Sequence, residues 1–183
     1  TQAVLRGAEY REGESIADRL EVARRELTAP TPALVYVYVP ELDVAGHKFG
    51  SESDAWIAAL EELDAALAGF LPALGAGDGL LVTADHGVVD VPESGHVVVP
   101  PEFHAGVRHI AGEPRCLQLH LEPGVDPTET AKRWRDREGK RAWVATKDEA
   151  IAAGWFGDVD DLVRPRIGDV IVAARARYAY YLN

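Results

Sequence analysis

Apolar residues in the first half of the chain fall into two alternating rhythms. From Glu14 to Leu27, Ile16, Leu20, Ala23 and Leu27 lie three or four apart, the spacing of one helix face. Ser15 is placed to cap that helix, and Pro30 and Pro32 stop it. Ala33-Leu34-Val35-Tyr36-Val37-Tyr38-Val39 follows, apolar throughout and rich in β-branched residues, which predicts a strand covered on both faces. A loop is expected from Glu41 to Gly50. Ser53 then caps a long helix that carries Trp56, Leu60, Leu63, Leu67 and Phe70 on one side. Pro72 and the glycines at 75, 77 and 79 close it, and Leu80-Leu81-Val82-Thr83 reads as a second buried strand.

Helix, strand, helix, strand is the order that builds a parallel sheet with helices on its faces. The second half reads differently. Arg115–Leu121 and Ala142–Thr146 are expected strands, and helices are expected through Ala131, Trp134 and Arg137 and from Lys147 to Ala153. Asp169–Ala173 and Tyr178–Tyr181 are expected to pair as a hairpin. We therefore expect residues 1–107 to be part of an α/β core and residues 108–165 to be a small inserted α+β subdomain. Residues 166–183 should return as strands toward the core.

Composition narrows the functions. The 183 residues are 47% hydrophobic, ample for a core, and carry a net charge of −11. Binding to nucleic acid needs a basic stripe, and Lys132-Arg133-Trp134-Arg135 is broken by Asp136 and Glu138. No uncharged apolar run approaches the ~18 residues of a membrane span, and residues 1–6 lack the basic start and apolar stretch of a secretory leader. Cys116 is the only cysteine, which excludes an internal disulfide and a multi-cysteine zinc site; it points to a reducing, cytoplasmic compartment. With no methionine and Thr1 in first place, the chain is expected to be part of a longer polypeptide.

Two groups of residues carry candidate chemistry. In Asp43-Val44-Ala45-Gly46-His47, a carboxylate and an imidazole four positions apart converge if the chain turns through one helical pitch, and Gly46 permits a close approach. In Thr83-Ala84-Asp85-His86-Gly87, an Asp and a His stand side by side after an apolar run. Oxygen and nitrogen ligands suit zinc better than magnesium. Either group alone is common in ordinary turns. Together they give two Asp/His pairs, each at the carboxyl end of an expected strand, where α/β sheets collect ligands. Two ions held a few ångströms apart are the equipment of phosphoryl transfer.

The segment Pro40 to Gly50 followed by Ser51-Glu52-Ser53 resembles the D-x-x-G-H-x-x-G-x-x-S segment of the type I phosphodiesterase/nucleotide pyrophosphatase family, within the alkaline phosphatase superfamily. Val82-Thr83-Ala84-Asp85-His86-Gly87 resembles that family's T/S-x-D-H-G motif. The resemblance implies an alkaline-phosphatase-like α/β/α sandwich with a mostly parallel sheet. It implies metal-dependent hydrolysis of a phosphodiester or pyrophosphate bond in a small phosphate ester or nucleotide. Asp43 and His47 would hold one divalent ion, most commonly zinc in the family, and Asp85 and His86 the other. The family's second metal also takes an N-terminal Asp and a nucleophilic Thr or Ser, and its first metal takes a further His from a His-Gly pair.

The chain departs from that pattern. Thr1, Ser15 and Thr28 lack the context of the nucleophile, and His96, His104, His109 and His120 are not followed by glycine. Both missing segments are expected in the complete gene product, and this chain alone is expected to be inactive. His96, ten residues past His86, is a candidate for the substrate pocket. The other three histidines are read as ordinary surface residues, and Trp155-Phe156 and Tyr178–Tyr181 as packing. Rival readings within the superfamily are a phosphomonoesterase, a phosphonate hydrolase, a sulfatase or a phosphomutase. Outside it stand a non-catalytic metal-binding module and a structural domain.

Overall fold

The computed structural model describes residues 5–182; Thr1 lies outside them. They form two compact units, residues 5–89 and 90–182. The first is built on helices. Helix α1 (Ile16–Leu27) opens with a capping box: the Ser15 hydroxyl accepts from the Asp18 N–H, and the Asp18 carboxylate accepts from the Ser15 N–H. Helix α2 spans Glu41–Phe49, and α3 spans Asp54–Phe70 with Ser53 as its cap. Ile16, Leu20, Ala23 and Phe70 form the buried centre, with Leu63, Ala66 and Leu67 packed against it.

Both expected strands of this unit differ from the reading. Val35, Val37 and Val39 pack on the helical core, but Leu34, Tyr36 and Tyr38 point away and are exposed. Residues 80–83 are exposed as well. Neither run is hydrogen-bonded into a ladder among the described residues. Composition gave both the character of strands, but a strand also needs a neighbour to take its backbone N–H and C=O groups. The expected loop at 41–50 is the helix α2. Glu41 and Asp43 at its start and His47 and Lys48 at its end match the helix dipole, and Gly50 (φ 93°) ends it.

In the second unit, β1 (His96–Val98) pairs in parallel with β6 (Ala179–Tyr181). Strands β2 (Val107–Glu113), β3 (Cys116–Leu121), β4 (Ala142–Thr146) and β5 (Val170–Ala174) form an antiparallel sheet in the order β2-β3-β5-β4. The expected 169–181 hairpin does not form: β5 pairs with β3 and β4, and β6 with β1. Helix α4 (Pro127–Glu138), capped by Asp126, and the short α5 (Lys147–Ala152) complete the unit. Leu117, Leu119, Leu121, Val170 and Val172 pack on Ala131 and Trp134 of α4. Among the described residues no helix is long and apolar enough to cross a membrane.

Two polar groups are built into this unit. The Glu138 carboxylate is buried and takes hydrogen bonds from the Tyr180 hydroxyl (3.0 Å) and Arg141 (2.8 Å). Burial and then the charge of Glu138 push the Tyr180 phenol above its ordinary value, so it stays protonated as the donor. Cys116 is half-buried, and burial with the charge of Glu113 raises its thiol, which makes it a poor nucleophile.

Asp169 ties β3, β5 and α5 together: its carboxylate accepts from the Leu121 N–H and from Lys147, both at 2.9 Å. Burial raises its pKa, but those two bonds and the nearby charges of Lys147 and His120 outweigh it, so the group lies below the ordinary aspartate value. A depressed carboxylate contributes stability above the unfolded-state value of about 3.9, and that stability drains away as pH falls through the lower folded value. Asp169→Asn should therefore flatten the loss of stability below about pH 4. Unfolding midpoints of wild type and variant across acid pH check this; parallel curves would contradict it.

Candidate metal centre

Helix α2 positions the first pair. Residues four apart on a helix share a face, so Asp43 and His47 point the same way. His47 Nε2 lies 3.3 Å from Asp43 Oδ1. The second pair follows residues 80–83 and comes to the same carboxylate: His86 Nε2 is 4.0 Å from Asp43 Oδ1 and 3.7 Å from Asp85 Oδ1. Asp43 is thus the hub, with His47 on one side and His86 on the other. Asp85 stands at the outer edge, 86% exposed at its side chain.

The close approach depends on Gly46. It is buried, and a Cβ there would sit 3.5 Å from Trp56 Cδ1 and 3.7 Å from Val88 Cγ1. One methyl fills that gap; a branched side chain cannot. Gly46→Leu should push Trp56 and the 83–88 segment away from α2 and separate the two pairs. The expected result is at least about a tenfold loss of metal affinity, the low end for misplaced ligand support. Wild-type affinity in that variant would contradict the close-packing account.

Chemically, Asp43 is the unusual member. Its Oδ1 has no contact with solvent and no aligned hydrogen bond, although two imidazole nitrogens face it. A buried carboxylate oxygen without a donor is unfavourable, and a cation removes the penalty. His86 Nδ1 lies 3.1 Å from the Gly87 carbonyl. With the proton placed on Nδ1 to donate that bond, the Nε2 lone pair is left facing the Asp43 side, the arrangement common to metal-bound imidazoles. The donor set of carboxylate and imidazole therefore fits a zinc-like ion. Among the described residues no three His, Cys, Asp or Glu side chains close into a cage; two pairs meet at Asp43 instead.

His96 lies on β1 in the second unit, exposed, with its ring tilted against Tyr181 at 4.9 Å. His109 and His120 face each other across β2 and β3, ring centroids 6.1 Å apart.

The described architecture is shared with hydrolases of known structure. Murine ectonucleotide pyrophosphatase/phosphodiesterase 5 superimposes with a TM-score of 0.70 at 20% identity, over 96% of this chain and 47% of that one. Its inactive variant in complex with AMP gives 0.65 at 20% identity, over 94% of this chain and 46% of that one. Phosphonoacetate hydrolase from Sinorhizobium meliloti, in complex with phosphonoformate, gives 0.67 at 17% identity, over 92% of this chain and 43% of that one. This chain thus spans about half the length of each. No curated protein matches the sequence. The fold is α/β and alkaline-phosphatase-like, the class expected from the sequence. The chain belongs to the type I phosphodiesterase/nucleotide pyrophosphatase family, whose model matches residues 5–183.

Proposed function

We propose that this chain carries the metal-holding part of a centre that hydrolyses phosphodiester or pyrophosphate bonds in small phosphate esters or nucleotides. The observation that supports this most is the Asp43 Oδ1, out of solvent and without an aligned hydrogen bond, between the imidazoles of His47 and His86. Asp43 and His47 would hold one divalent ion and Asp85 and His86 a second, with zinc preferred for the imidazole ligands. When bound, such ions supply positive charge to the phosphoryl oxygens and lower the pKa of a coordinated oxygen nucleophile.

The residues of this chain bind and orient. Asp43 lies within 4.0 Å of both imidazoles, so its carboxylate can couple the two pairs. The His86 Nδ1 contact with the Gly87 carbonyl fixes that ring. The attacking hydroxyl, a Ser or Thr, is assigned outside this chain. Its oxygen would bond to phosphorus as the alcohol or phosphate leaves, and water would then release the phosphoryl group. The overall charge of −11 is compatible with an anionic substrate only where such local positive charge is present.

Cleavage of a phosphonate is the second reading, favoured by the likeness to a phosphonoacetate hydrolase. The complete protein should be assayed on bis-p-nitrophenyl phosphate, p-nitrophenyl phosphate and phosphonoacetate, with and without a chelator. Chelator-sensitive preference for the diester is the expected result. Preference for phosphonoacetate moves the function to the second reading, and preference for the monoester moves it to a phosphatase. No turnover of any, with zinc supplied, would leave a non-catalytic metal-binding module.

A further inference from the structure

Helix α2 has a weak start. Its first flanking residue, Pro40, offers no side-chain cap, and nine residues are too few for a helix to hold itself in water. Its first residue, Glu41, is gripped from another element: Arg19 of α1 donates from Nη2 to Glu41 Oε1. The pair is largely out of solvent, with side-chain exposures of 19% and 30%. Two further polar atoms of the pair, Arg19 Nε and Glu41 Oε2, are buried without hydrogen-bond partners.

Gly13 closes over this contact. A Cβ at that position would come within 2.6 Å of Arg19 Cγ and 2.9 Å of its Cα, so the chain lies directly on the arginine stem. The arginine therefore has little room to swing away. Glu41 stands two residues before Asp43 and six before His47 on one short rigid element. Where Arg19 holds Glu41, it also sets the direction in which Asp43 and His47 point.

We propose that Arg19 and Glu41 are positioning residues for the metal-holding face of α2; this rests on the function proposed above. Neither residue is among the four proposed ligands. Two half-buried charges, each with a polar atom left without a hydrogen bond, are an inefficient way to stabilise a fold, since a desolvated pair commonly does no better than apolar packing. They are an effective way to fix one orientation, because a rotation of α2 that separates the pair leaves two half-buried charges apart.

The experiment is a cobalt(II) titration of the complete protein, read by its visible absorption bands, which report ligand geometry as well as affinity. Arg19→Met, Glu41→Gln and Arg19→Lys are compared with wild type. Arg19→Met and Glu41→Gln should weaken cobalt binding on the order of 10–100-fold, as loss of ligand-supporting partners does, and shift the bands. Arg19→Lys should recover part of the affinity. Glu41→Gln is nearly isosteric and serves as the second variant should Arg19→Met fail to fold. Wild-type affinity and bands in Glu41→Gln and in folded Arg19→Met would overturn the positioning role and leave the metal centre standing. Wild type that takes up no cobalt would overturn both.

Discussion

Replacing Asp43 by alanine in the complete protein is expected to lower kcat/KM for a phosphodiester at least about a hundredfold, since metal ions contribute several kcal/mol of charge stabilisation and each 1.4 kcal/mol is a factor of about ten. Asp43 matters more than its partners because both imidazoles face one of its oxygens. Removing His47 leaves the Asp43–His86 contact; removing Asp43 leaves His47 alone and His86 beside only the exposed Asp85. The change should not unfold the chain, because it relieves a buried carboxylate oxygen that has no donor. Activity lost with the unfolding midpoint unchanged is the expected pattern. Activity within threefold of wild type would remove Asp43 from the centre.

The second large effect lies in the other unit and concerns stability alone. Trp134 is 1% exposed, meets Phe103 edge-on at 4.7 Å and lies 6.2 Å from Tyr180. Its indole N–H is buried without a partner, so its contribution is packing rather than hydrogen bonding. Trp134→Ala should destabilise the unit by about 3–5 kcal/mol, a large fraction of the ~5–15 kcal/mol that holds a typical domain together. Denaturant unfolding followed by far-UV circular dichroism measures it. A loss below about 1 kcal/mol would mean that the surrounding side chains collapse into the space.

What could be read in advance follows from what is local. The caps at Ser15 and Ser53, and the periodicity of α1, α3 and α4, are properties of neighbouring residues, and those helices stand where the spacing predicts them. Pairing is not local. The run 33–39 has the composition of a strand, yet its ladder depends on a distant partner. Closeness in sequence favours a hairpin of β5 and β6, whereas β6 pairs with β1, more than eighty positions earlier. Strand β2 was not anticipated at all: Arg108, His109, Gly112 and Glu113 break its apolar run, and it is held as a strand by β3.

The centre divides in the same way. Asp43, His47, Asp85 and His86 were marked by residue type and spacing. The helical form of α2 was hidden by Pro40, Gly46 and Gly50, although the acidic start and basic end carried a signal for it. The grip of Arg19 on Glu41, twenty-two positions apart, has no signature in a single sequence. It depends on how α1 and α2 pack, and only the structure brings them together.

The most direct test of the metal centre is the zinc content of the complete protein, purified without chelator and measured by atomic emission, beside the double variant Asp43→Ala/Asp85→Ala. Wild type is expected to hold a two-metal site, close to two ions per chain, and the variant to lose nearly all of its metal. A wild-type protein without bound metal when zinc is supplied, or a variant that retains the wild-type content, would contradict it.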